Sequence, residues 1–251
     1  LHLEIFSEGS SFFHRLDPRV KILLAASFTT VVAVTSSFEI AAVSLVLSLL
    51  LLSACRLRLK PLLSRFAVLN GFFLFLFIVL PFSVPGKEIF ALGPLTATYE
   101  GVKFAALVAV KGNAIYGAVI GLLSTSSVIV LGHALHHLKV PGKLVQLFFF
   151  TFRYISVLHD EYERIQRALK MRCFVPRTSL HTYKTFAYVV GVLFLSSFER
   201  AVRIYQAMVL RGFDGTFRTL NHFTMERKDV VAGVFGFSVI GLLLMAQVVM
   251  K

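Results

Sequence analysis

The sequence has no tryptophan, two cysteines, and half as many acidic as basic residues, 13 against 26. With only Cys55 and Cys173, a disulfide framework and a four-cysteine metal site are both excluded. In the absence of tryptophan, anchoring at a bilayer surface falls to tyrosine, phenylalanine and the basic residues. No G-x-x-x-x-G-K-S/T phosphate loop occurs, so the chain itself is expected neither to bind nor to hydrolyse ATP. An H-E-x-x-H zinc motif is also missing, because Ala134 follows His133. His133, His136 and His137 therefore read as interfacial histidines at a helix end, and no metal ligands are assigned. Residues 1–19 lack the basic, apolar and small-residue order of a signal peptide, so the first apolar run is expected to be retained.

What is abundant is apolar sequence. Hydrophobic residues make up 57% of 251 residues, and the mean hydropathy is +0.78. Soluble domains usually hold about 45–50% apolar residues. The excess lies in five runs, 20–36, 40–54, 66–80, 113–131 and 230–250, each near the length needed to cross a bilayer. Lys103 and Lys111 interrupt the stretch before the fourth run and must snorkel or border protein to be tolerated there. Between the third and fourth runs, Pro81, Pro85, Gly86, Gly93 and Pro94 mark a helix-breaking loop over 81–99. Gly112, Gly117 and Gly121 suit close helix packing better than phosphate binding. The fold class that follows is all-α: a polytopic membrane protein with about five transmembrane helices. An intramembrane enzyme would need a catalytic set at membrane depth, and a self-contained carrier would need an inverted repeat or polar path. Neither emerges from the five runs.

The net charge of +13 would suggest nucleic acid in a soluble protein. Here the basic residues flank apolar runs, as at Arg15, Arg19, Arg56, Arg58, Lys60 and Arg65, so the expected partner is the lipid bilayer and not nucleic acid. Residues 133–229 carry fifteen Lys or Arg and two amphipathic patterns. The first spans 146–172, with Leu158, Tyr162, Ile165 and Leu169 on one stripe. The second spans 183–211, with Phe194, Phe198, Ala201, Tyr205 and Met208 on its stripe and a Glu199–Arg203 pair opposite. The expected organisation is an N-terminal transmembrane region (1–132), a cytoplasmic module of long amphipathic helices (133–229) and a C-terminal transmembrane helix (230–251). The bias of basic residues places the N-terminus on the cytoplasmic side, and the expected location is the inner (cytoplasmic) membrane. The main alternative has six or more crossings, with 144–158 or 188–198 entering the membrane. At the start of the first run, Asp17 and Pro18 suit a helix N-cap and first turn, and His14, Asp17 and Pro18 are candidates for a structural or partner contact.

Both amphipathic patterns end alike. Ala168 is followed four residues later by Arg172, then Cys173 and Phe174; Ala207 is followed by Arg211, then Gly212 and Phe213. An arginine at a helix C-terminus favours the dipole wherever it occurs, but two matching ends suggest a duplicated docking device. With these ends, the strings His14-Arg15-Leu16-Asp17-Pro18-Arg19-Val20-Lys21, Leu138-Lys139-Val140-Pro141, Phe152-Arg153-Tyr154-Ile155, Glu199-Arg200-Ala201 and Leu210-Arg211-Gly212-Phe213-Asp214-Gly215 stand in order along the chain. The whole chain resembles the transmembrane T component of energy-coupling-factor (ECF) ABC transporters, within the cobalt/nickel, CbiQ-like branch.

The resemblance implies a non-catalytic subunit that joins two ABC ATPase subunits to a separate substrate-binding membrane subunit. ATP and Mg would be bound by the ATPases, and no cofactor by this chain. Cobalt is the first substrate implied, with nickel or a vitamin as alternatives. The coupling triplets it implies are Met171-Arg172-Cys173 and Leu210-Arg211-Gly212. Cys173 lacks glycine's access to positive φ, so the first helix end is expected to differ in cap geometry from the second.

Overall fold

The computed structural model describes residues 11–55, 57, 59–92, 95–215 and 225–249. Arg56, Arg58, Gly93, Pro94, residues 1–10 and the last residue of the fifth run lie outside the described residues. In chain order the elements are α1 (Phe12–Arg15), α2 (Pro18–Val34), α3 (Phe38–Cys55), α4 (Leu59–Ser83), β1 (Glu88–Leu92), β2 (Leu95–Thr98), α5 (Tyr99–Leu123), α6 (Val128–His137), α7 (Gly142–Met171), α8 (Leu180–Leu210) and α9 (Arg227–Val249). The described parts of residues 135–222 form one compact unit, and those of 2–134 with 223–251 form the other.

The second of these units is built around α5, which packs against α2, α3 and α4, while α9 packs on α2 and α3. Its apolar core runs from Val20, Leu24, Phe28 and Val32 on α2 to Ala114, Ala118 and Leu122 on α5 and Ile240 and Leu243 on α9. Small residues let α3 approach α5. A Cβ added at Gly117 would stand 3.1 Å from Ser48 Oγ and 3.2 Å from the Leu52 side chain, and one at Gly121 would overlap Leu51. The Cys55 thiol donates to the Gly121 carbonyl at 3.3 Å. Gly112 meets the Phe73 ring of α4, so all three glycines singled out in the sequence sit at helix contacts.

Several polar groups inside this unit find partners, as a bilayer favours. Lys111 Nζ donates to the Ala33 carbonyl at 3.3 Å, in the last turn of α2, where free carbonyls favour a cation. Asn70 on α4 and Asn113 on α5 exchange amide hydrogen bonds of 3.1 and 3.0 Å.

The loop expected over 81–99 is structured in two ways that the proline and glycine content did not reveal. Helix α4 continues through Pro81 to Ser83, although Pro81 has no N–H to donate to the carbonyl four residues before it. Beyond it, β1 and β2 form a small antiparallel hairpin, with Glu88 opposite Thr98 and Leu92 opposite Leu95. Thr98 caps α5 by accepting from Gly101 N–H, and its hydroxyl donates to the Val84 carbonyl at 2.6 Å.

Among the described residues, five helices are long and apolar enough to cross a bilayer: α3, α4, α5, α8 and α9. The chain is a multi-pass, essentially all-α membrane protein. The number agrees with the sequence reading, but the membership differs. Helix α8 qualifies through its apolar first half, whereas α2, at 17 residues, stands at the short limit of about 17–25 residues.

Replacing Gly117 by Leu is expected to push α3 from α5 and cost about 1–3 kcal/mol, the usual penalty for overpacking. Gly241→Ala, where a Cβ meets nothing within 4 Å, should cost nothing. Thermal unfolding midpoints of the two purified variants in one detergent check the contrast.

Candidate functional site

Helices α7 and α8 make up the unit of residues 135–222 together with the end of α6. Helix α7 is strongly amphipathic. Its half-buried stripe is Phe150, Tyr154, Val157, Glu161, Ile165 and Leu169, spaced three and four residues apart. On another face Arg167 pairs with Glu163 at 3.2 Å, and Arg164 reaches back to the stripe residue Glu161. In α8 the half-buried stripe is Leu193, Ser197, Arg200, Ile204 and Met208. Of the stripe read from the sequence, Phe194, Phe198, Ala201, Tyr205 and Met208, only Met208 faces α7, so the rest of that stripe is open to a partner and does not pack between the two helices. Phe194 is 75% exposed, and Phe198 and Tyr205 are also exposed. Serine and arginine occupy inward positions, which hides the true stripe from a hydrophobicity pattern. The expected Glu199–Arg203 pair is present at 3.7 Å.

The two helices run antiparallel. Gln146 Nε2, near the start of α7, donates to the carbonyl of Gly215, just beyond the end of α8, at 3.0 Å. Between the helices lies an apolar groove of about 340 Å3, lined by Phe150, Tyr154 and Val157 of α7 and by Ile204 and Met208 of α8, with Phe213 at its end. Since Arg172 lies 26 residues beyond Gln146, the ends of α7 and α8 are separated by ~40 Å at 1.5 Å per residue.

Both ends have the same cap. At the end of α7, Cys173 N–H donates to Lys170 O at 3.0 Å and Phe174 N–H to Leu169 O at 3.0 Å. At the end of α8, Gly212 N–H donates to Val209 O at 2.9 Å and Phe213 N–H to Met208 O at 3.1 Å. This double pattern is a Schellman motif. Arg172 (φ −88°, ψ 18°) and Arg211 (φ −92°, ψ 11°) occupy equivalent C-cap positions. The expected difference in cap geometry is therefore absent: Cys173 adopts φ +58° beside the +80° of Gly212. The cap bonds of Cys173 and Phe174 offset the cost of holding a non-glycine residue in that region. Helix α6 ends in the same way. Lys139 stands at φ +62°, its N–H donates to His136 O, and Val140 N–H donates to Leu135 O, both at 3.2 Å. The string Leu138-Lys139-Val140-Pro141 is thus a third helix stop, with Pro141 excluding continuation.

These caps leave the triplets projecting. Met171 is 87% exposed and Leu210 88%, while Arg172 and Arg211 are both exposed. Neither guanidinium makes a hydrogen bond or ion pair among the described residues, in contrast to Arg164 and Arg167. Each tip therefore presents an apolar side chain and a planar five-donor cation from a rigid helix end, a combination suited to a partner groove with a carboxylate or free carbonyls.

The N-terminal candidates lie in the other unit. Asp17 is the N-cap of α2, accepting from Arg19 N–H at 2.8 Å, and Pro18 is the first helical residue. His14 Nδ1 hydrogen-bonds Ser11 Oγ at 2.6 Å. The backbone N–H of Asp17 donates to Asp229 Oδ1 at 2.9 Å, and Glu226 N–H donates to Asp229 Oδ2 at 3.0 Å. Asp229 had no place in the sequence argument. Its only signal was an acidic residue one position before a long apolar run.

Residues 9–223 match the CbiQ family, described as "Cobalt transport protein". The chain belongs to the CbiQ/EcfT-like family of ECF transporter T components. It is 29% identical over 240 residues to the energy-coupling factor transporter transmembrane protein EcfT of Heliobacterium modesticaldum, covering 88% of this chain and 90% of that protein. The EcfT protein of Leuconostoc gelidum is 26% identical over 254 residues, covering 94% and 93%. That of Thermosediminibacter oceani is 25% identical over 217 residues, covering 82% of each. T components are non-catalytic members of transporters whose architecture also includes ATPase and substrate-binding subunits.

The caps make a direct prediction. Cys173→Gly should relieve about 1 kcal/mol of left-handed backbone strain, and Gly212→Ala should introduce a similar amount. Amide hydrogen exchange at Phe174 should slow about fivefold in the first variant, and exchange at Phe213 should quicken about fivefold in the second.

Proposed function

We propose that the chain is the coupling subunit of an ECF-type importer of cobalt ions, and that Met171-Arg172-Cys173 and Leu210-Arg211-Gly212 are its two docking tips for a pair of ATPases. The observation that carries this reading is the pair of equivalent Schellman-capped arginines, exposed and without a hydrogen-bond or ion-pair partner among the described residues, at opposite ends of one antiparallel helix pair. A separation of ~40 Å suits two separate partners better than one. The ATPases bind ATP and Mg; this chain passes their movement to a substrate-binding membrane subunit. The exposed face of α8 with Phe194, Phe198 and Tyr205 is a surface for that subunit. Cobalt is cargo selected by the partner, in keeping with the family's description.

In this reading residues 133–229 form the cytoplasmic module, and residues 1–132 and 230–251 the membrane regions, with the N-terminus cytoplasmic. An antiparallel pair that crossed the bilayer would put its two tips on opposite faces. For both tips to meet cytoplasmic ATPases, neither α7 nor α8 can span the bilayer. Helix α2 then completes the five crossings in place of α8. Cysteines introduced at 172 and 211 should both be labelled only from the cytoplasmic side of oriented vesicles. Labelling of either from outside would reject this topology.

Arg172→Ala or Arg211→Ala should each weaken ATPase docking by roughly 1.5–3 kcal/mol, the range for a charge-assisted hydrogen bond. The double variant should nearly abolish assembly and transport, and lysine at either position should rescue only in part because it lacks the forked geometry. Subunit stoichiometry and substrate-coupled ATP turnover in membranes are the measurements. Wild-type values for both in the double variant would rule out the coupling role. Uptake by the assembled complex under competing Co2+ and Ni2+ tests the choice of metal.

A further inference from the structure

The most deeply buried charge among the described residues is Lys21, 0% exposed, in the first turn of α2. Its ammonium donates to Ser126 Oγ at 2.6 Å and Thr125 Oγ1 at 3.2 Å. The carboxylates of Asp17 and Asp229 lie within electrostatic reach of it. The two carboxylates and two hydroxyls offset part of the cost of a lysine here, but that cost remains. The N-terminal turn of a helix disfavours a cation, and burying an ammonium costs free energy that a methionine of similar length avoids.

Connectivity distinguishes the groups around it. Thr125 and Ser126 stand between α5 and α6, on the stretch through which the chain passes toward α7 and α8. Asp229 lies in the first turn of α9, where the chain has returned from them. Asp229 in turn holds the N-terminus of α2 through the Asp17 N–H, 2.9 Å away, and its own helix start through Glu226 N–H. One buried polar cluster therefore ties α2 to both strands of chain that join the two units.

Resting on the coupling reading above, we propose that Lys21 is a positioning residue of the transport cycle. With Asp17 and Asp229 it holds the outgoing and returning chain to α2, so that displacement of the α7–α8 unit moves the membrane bundle and is not absorbed at the connections. Without Lys21 the connections yield, and ATP is hydrolysed with little substrate movement.

The test uses the complete transporter with its ATPases and substrate-binding subunit. Lys21→Met preserves volume, and both carboxylates keep their backbone N–H donors, so subunit stoichiometry and ATP turnover should remain within twofold of wild type. Co2+ taken up per ATP should fall at least tenfold, with Ni2+ as the probe if the wild-type complex takes up nickel. Ser126→Ala and Thr125→Val each leave the ammonium one hydroxyl and should give intermediate ratios. An unchanged ratio in Lys21→Met overturns the proposal. So does a parallel fall in stoichiometry, turnover and uptake, which would make Lys21 a folding residue alone. Failure of the coupling reading is seen separately, as wild-type chain that copurifies with no ATPase.

Discussion

The close approach of α3 to α5 is the contact on which the membrane unit depends. At Gly117 and Gly121 there is no side chain to hold the helices apart, and Ser48, Leu51 and Cys55 occupy the space. In a bilayer the lipid tails are as apolar as leucine, so helices associate through packing and hydrogen bonds and gain little from hydrophobicity itself. Small residues make that packing available. With α3 seated, α5 can also accept α2 and α4, and the remaining polar groups find one another, as at Asn70–Asn113 and Lys111–Ala33.

The unit of residues 135–222 follows a different logic. Its two long helices share one half-buried seam and remain exposed elsewhere, so much of their surface is open to partners. Their informative features are the ends. A Schellman cap satisfies the last carbonyls of a helix within two residues and turns the chain sharply aside. A helix that frayed would carry its terminal arginine on a mobile tail. A helix stopped in this way holds Arg172 or Arg211 at a fixed point on a long rigid arm, the geometry that a lever between a motor subunit and a membrane subunit requires.

The two units meet the same physical demand by different means. Asn70, Asn113 and Lys111 in the unit built around α5 are paired internally, where lipid would offer them nothing. At the tips of α7 and α8, Arg172 and Arg211 are exposed and make no hydrogen bond or ion pair among the described residues, a state that water tolerates for a guanidinium. Lys21 fits neither pattern simply. It is paired, yet it is a buried cation in the first turn of a helix, where the dipole disfavours one, and residues that break a local preference in this way concentrate at functional positions.

Much was legible in the sequence because it depends on local chemistry. Long uncharged runs require a bilayer, Asp17 before Pro18 starts a helix, the 3.6-residue pattern of charge and apolarity gives α7, and Ala, Arg, a small residue and Phe in order give the two helix ends. Tertiary structure decided the rest, since it depends on which groups meet across distances in sequence. Nothing local distinguishes Ser197 and Arg200 as the inward face of α8, because their burial follows from the shape of α7 opposite. The φ of Cys173 is positive because the Schellman bonds outweigh the preference of an isolated cysteine. The partners of Lys21 lie 104 and 105 residues away, so its role could come only from the packing that brings α2, the α5–α6 connection and the start of α9 to one place.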